Sequence, residues 1–76
     1  MSIKTAVEAN GWTLVEAMQC SAPGEFVVIS KRPSSPFGED RVYVTHKYYE
    51  VNGGLHHGHY DMTLAEAVES MEKRSY

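Results

Sequence analysis

All four histidines of the chain fall between His46 and His59, so this stretch is the first place to look for chemistry. His57 and His59 are two apart, and on a β-strand they would share a face. If Asn52 and Gly53 form a two-residue turn, His46 lies directly across from His59, with β-carbons roughly 5 Å apart. In that register His46, His57 and His59 could hold zinc, with Asp61 as a fourth ligand of the same parity. A competing reading is structural: hydrogen-bonded core or rim imidazoles satisfy the same spacing. If Gly54 shares the turn instead, the register slips by one and the three separate. Zinc is therefore the one cofactor the pattern offers, and no cofactor is the simpler expectation.

Other catalytic constellations are absent from the sequence pattern. Ser21, Ser30, Ser34 and Ser35 lack a glycine-elbow context. Cys20 is the single cysteine, so neither an internal disulfide nor a cysteine zinc cluster can form. Gly53-Gly54 reads as turn chemistry, not a phosphate-binding loop. Glu66, Glu69 and Glu72 read as the wet face of a helix, not as paired acids. A thin core seldom supplies the supporting shell a catalytic site needs, and the chain is expected not to be an enzyme.

Tyrosines offer a different use. One parity of the stretch Val42 to Val51 carries Tyr43, Thr45, Lys47 and Tyr49; the other carries Val42, Val44, His46 and Tyr48. If helices cover the second parity, Tyr43 and Tyr49, with Tyr60, line an open sheet face. Such a face suits a protein partner, because tyrosine is enriched among interface anchors. With Lys47 and Arg41 nearby it could also stack single-stranded nucleic acid. Phe37, in the middle of a loop, is either an exposed apolar tip or a plug back into the core.

These residues must be positioned by the elements around them. Thr63 and Glu66 form a capping box ahead of an apolar stripe, Leu64, Ala67, Val68 and Met71. Lys73 and Arg74 close that helix, where cations suit the negative end of its dipole. Val42 to Val51 and Leu55 to Tyr60 read as a hairpin about Asn52-Gly53. Glu25 to Lys31 is a strand whose continuous apolar run, Phe26 to Ile29, places it centrally, covered on both sides or nearly so. Arg32 to Asp40 is a loop rich in proline, serine and glycine. Trp12 to Cys20 is mixed; the strand reading is taken because Ala22-Pro23-Gly24 then makes a hairpin loop. Ser2 caps a short helix with Ile3, Ala6 and Val7 as its stripe, stopped by Asn10-Gly11. The expected fold is one α+β domain over residues 1–76. It is a two-layer sandwich: a four-stranded antiparallel meander with N- and C-terminal helices packed on one face.

Size and charge narrow the function. A chain of 76 residues is one domain. It buries only about 60% of its unfolded surface, so homodimerisation or capture by a larger protein would supplement its stability. The net charge of -3 argues against a nucleic-acid partner, which needs a basic face. No apolar run is long enough for a signal peptide or membrane span, and the expected location is the cytoplasm.

The segments FVVISK and GHYDMTLAEAVESMEKR resemble a pattern in small uncharacterised bacterial and mobile-element proteins. The matching residues are Phe26, Val27, Val28, Gly58, His59, Tyr60, Thr63, Leu64, Glu66, Ala67 and Arg74. The Thr-x-x-Glu-Ala helix after strands is more loosely similar to the HicB-type antitoxin half-domain, although that family's proline-aspartate strand end is missing here. In size and acidic format the chain is similar to phage-borne inhibitors of host defence, including anti-CRISPR proteins. The bacterial pattern covers under half the chain and implies no activity. The spare tyrosine parity and the lack of a catalytic set instead favour a non-enzymatic interaction module that occupies a surface of a larger protein or complex, with a phage or mobile element as its expected source. The alternatives are a histidine-based metal protein and an antitoxin-like or single-strand nucleic-acid-binding domain.

Overall fold

The computed structural model describes residues 2–75. Its elements are α1 (Ile3–Glu8), β1 (Thr13–Gln19), β2 (Glu25–Lys31), β3 (Tyr43–Tyr49), β4 (Gly54–Met62) and α2 (Leu64–Arg74). The strands form one antiparallel sheet in chain order, β1-β2-β3-β4. The α+β class, the meander and the terminal helices are those the sequence implies. No helix among the described residues is long and apolar enough to cross a membrane.

β2 carries the core. Val27, Val28, Ile29 and Ser30 are at most 1% exposed. Successive strand residues point to opposite faces, so this run feeds two cores. Val27 and Ile29 pack with Cys20, Ala67 and Met71 under α2, joined by Tyr43 and Met62. Val28 packs with Ala6, Val7 and Tyr48 under α1, joined by Trp12, Leu14, Ala17, Phe26 and Leu55. The two helices therefore cover opposite faces of the sheet, and the expectation that they share one face is corrected. Both parities of β2 and β3 carry side chains that need cover, and one helix per face supplies it.

α1 has only six residues, too few to hold as an isolated helix. The Ser2 hydroxyl accepts from the Thr5 N–H at 3.1 Å, and Gly11 at φ 77 ends the segment. Packing of Ala6 and Val7 does the rest. β1 contains a bulge between Leu14 and Glu16. The extra residue flips the parity, so Ala17 joins Leu14 on the α1 side while Met18 pairs with Val27 on the α2 side. That flip is why the apolar alternation in this stretch reads as mixed.

The β3–β4 hairpin departs from the two-residue turn. Tyr49 pairs with Gly54, leaving Glu50 to Gly53 as the connection. Gly53 takes φ 67 and donates its N–H to the Tyr49 carbonyl at 2.8 Å. The Asn52 carboxamide oxygen accepts from the Gly54 N–H at 3.0 Å, so Asn52 acts through its side chain. Along β4 the register then shifts twice, between the pairs Lys47/His56 and Thr45/His59 and again before Tyr43/Met62. His57 and Asp61, at φ 55 and 59, are the left-handed residues of these two bulges.

α2 is capped as expected: Thr63 Oγ1 accepts from the Glu66 N–H at 3.2 Å, and Glu66 Oε1 accepts from the Thr63 N–H at 2.9 Å. Only part of its apolar stripe is used. Ala67 and Met71 are buried, while Leu64 and Val68 are 44% and 42% exposed. At the far end Arg74 donates to Thr45 Oγ1 at 2.9 Å and to the His57 carbonyl, clamping the helix to β3 and to the first bulge.

Candidate functional site

The bulges of β4 decide where the histidines go. Thr45, not His46, pairs with His59. Thr45 lies on the α2 side, where its hydroxyl meets Ser70 at 3.3 Å. His59 lines the groove beside α2 with Met62, Glu66, Glu69, Ser70, Lys73 and Arg74. His46 is on the other face, stacked on Trp12 with ring centroids 5.5 Å apart. His57 occupies a bulge and is exposed. The proposed zinc set His46, His57 and His59 is therefore not assembled. Asp61, its suggested fourth ligand, binds Ser35 and Arg32 instead. Among the described residues, no group of three histidine, cysteine or carboxylate side chains is placed to hold a metal ion.

The tyrosines are also divided. Tyr43 packs into the core under α2. Tyr49 is half-buried on the same parity and tilts against His56, with ring centroids 5.4 Å apart. Tyr60 stands on the opposite face with Trp12 and His46, and it is 48% exposed. The open tyrosine face expected from the sequence is thus not formed, because α2 covers one parity and Tyr60 is turned to the other. A continuous stacking platform for single-stranded nucleic acid is lost for the same reason.

One polar cluster does converge. His46 Nε2 and Tyr60 Oη are 3.1 Å apart, and Trp12 closes over both rings. The Arg32 guanidinium lies 5.9 Å from the centre of the Tyr60 ring. His46 is 4% exposed. Burial, reinforced by Arg74, His59 and His56, holds its imidazole below the ordinary histidine pKa. Gly58 lies between the partners: a Cβ there would fall 2.6 Å from His46 Nε2 and 2.8 Å from Tyr60 Oη. The sequence hides this cluster because its members come from distant segments. The small residue two before Tyr60 is its only local mark.

The groove between β4 and α2 has a volume of about 370 Å³, but its charged groups are engaged. Lys73 pairs with Glu69 at 2.8 Å, which raises the lysine pKa. Glu66 serves the helix cap and pairs with Arg41 at 3.0 Å. Arg74 clamps the helix.

Apolar side chains are left over on the outside. Glu66, Glu69, Ser70 and Lys73 occupy the flank of α2 that faces β4. Helical geometry puts Leu64 and Val68 on the opposite flank, toward β1. The Ser21 N–H donates to the Ser75 carbonyl at 3.1 Å, which sets the end of α2 beside the end of β1. Met18, on the α2 side of β1, is 40% exposed. Phe37, 68% exposed, is resolved as an outward tip, not a plug. Its loop is fastened near the start of α2 by Arg41, which reaches both Glu66 and the Asp61 carbonyl.

The fold and this surface define a small α+β domain with a closed core and an apolar outer flank. Compared with protein-family models, curated proteins and solved structures, the chain has no match.

Proposed function

We propose that the protein is a non-enzymatic interaction module that acts by occupying a surface of a larger protein. The observation that carries this reading is the split stripe of α2. Ala67 and Met71 complete the core, whereas Leu64 and Val68 stand outside it, and Met18 on the α2 side of edge strand β1 is also exposed. Side chains of this kind, one helical turn apart and flanked by polar residues, are the usual anchors of a helix-face contact. The contact surface is therefore Leu64, Val68 and Met18 in place of Tyr43, Tyr49 and Tyr60, with Phe37 retained as the loop contact. The compact, mildly acidic format also suits an inhibitor from a phage or mobile element that blocks a host complex.

The test is site-specific photo-crosslinking in producing cells. Crosslinkers at positions 64 and 68 should capture the same partner, and Met18→Ser in the same chain should reduce capture several-fold. A crosslinker at Lys4, exposed on α1, is the control. Equal capture from position 4 would refute the assignment.

A further inference from the structure

We propose that His46 is an acid-released latch that holds Trp12, and with it α1, against one face of the sheet. The inference concerns a different face from the interaction surface above and does not depend on it.

Hydrogen-bond accounting carries the argument. His46 Nε2 is paired with Tyr60 Oη, and His46 Nδ1 is buried without a hydrogen-bond partner. A neutral imidazole fits this site: Nε2–H donates to the tyrosine oxygen, and Nδ1 keeps only a lone pair. Protonation turns Nδ1 into a charged donor with no acceptor, in a position 4% exposed. The stacked Trp12 face gives the charge some relief, but Nδ1 has no acceptor in place and the charged groups nearby do not offset it. From β4 come the Tyr60 hydroxyl, His56 and His59, and from α2 the Arg74 guanidinium. From the loop comes Arg32, over the Tyr60 ring and already paired with Asp61 at 3.2 Å. On the α1 side the charged residues Lys4 and Glu8 are exposed, as is Glu16 of β1. Ser30 Oγ, buried on the same sheet face, is also without a partner.

The imidazolium must therefore leave this environment, and Trp12 is what covers it. Trp12 directly follows Gly11, so the stack is the attachment nearest to the end of α1. α1 itself is short and holds on through Ile3, Ala6 and Val7. Losing the Trp12 stack frees the helix end and loosens the cover over Val28, the cross-strand partner of His46. The sign follows from linkage: a histidine held below its ordinary value of 6.5 contributes stability that is complete above that value and is lost as pH falls below it.

Trp12 is the only tryptophan in the chain, so its fluorescence reads the latch directly. Between pH 7.5 and 5 the emission should shift to the red, and acrylamide quenching should rise several-fold in one transition with its midpoint below 6.5. The transition should persist when His56, His57 and His59 are all replaced by glutamine, and it should vanish in His46→Phe. Darkening with no red shift and no gain in quenching would overturn the release, since a fixed imidazolium can quench a stacked indole. If His46→Phe does not fold, histidine ring NMR of the native chain decides. The Trp12 indole signal should move with the His46 titration, and an indole that ignores it would sink the latch.

Discussion

Ser35 donates its hydroxyl to the Asp61 carboxylate at 2.9 Å, joining the middle of the long loop to the second bulge of β4. The same carboxylate oxygen receives Arg32, and the Asp61 carbonyl receives Arg41. One left-handed residue thus gathers both ends and the middle of the segment between β2 and β3.

Asp61→Ala should therefore destabilise the fold by about 1–3 kcal/mol, as expected when partly buried charged hydrogen bonds lose their acceptor. Asp61→Asn should cost clearly less, because asparagine tolerates φ 59 and can still accept from Ser35. Urea unfolding of the two variants checks the order, and a reversed order would remove Asp61 from this role.

Gly58 gives a second expectation. Alanine there meets His46 Nε2 and Tyr60 Oη at under 3 Å, and His46 is buried on a central strand. Gly58→Ala should cost about 1–3 kcal/mol, in the range of overpacking. At Gly54 the nearest atom to an added Cβ is Nε2 of exposed His56, at 3.0 Å, and that side chain can swing away. Thermal melts should show Gly54→Ala much closer to the native chain.

The division of the α2 stripe predicts unequal costs for similar deletions. Met71→Ala should lose about 2–5 kcal/mol, as for other buried methionine truncations. Val68→Ala should stay within about 0.5 kcal/mol of the native chain. Comparable losses at both positions would mean that Val68 is buried.

The helix cap predicts a pH dependence at the acid end. The Thr63 N–H, and more weakly Arg41, holds the Glu66 carboxylate below its ordinary pKa of 4.5. A depressed carboxylate contributes stability that is present above 4.5 and lost as pH falls through the lowered value. Thr63→Ala should cost about 1 kcal/mol at neutral pH. Glu66→Gln can keep the box but should flatten the stability profile below pH 4.5, read by circular dichroism at fixed urea.

Much of the fold is legible in local chemistry. Ser2, Thr63 and Glu66 mark both helix starts, and Glu25 to Lys31 has the run of a central strand. That run also argues against an open face: Phe26 to Ile29 is apolar on both parities, and a bare side would have left half of it wet. The candidate site was much less legible. Bulges at His57 and Asp61 use non-glycine left-handed residues, which leave no turn signature, yet the one at His57 sends His46 and His59 to opposite faces. The exposure of Leu64 and Val68 depends on how α2 is rolled, which Arg74 and Thr45 fix from distant positions. Helical spacing alone cannot supply that angle.

The two interruptions in β4 also bear on self-association. A regular border strand is a template on which a second chain can add its own backbone. At His57 and Asp61 the ladder is broken and the strand bends away, so this margin offers no uninterrupted row of donors and acceptors. Sheet-to-sheet growth, the first step toward fibrils, is discouraged on that side. The histidine-rich segment can thus remain at the rim without seeding aggregates.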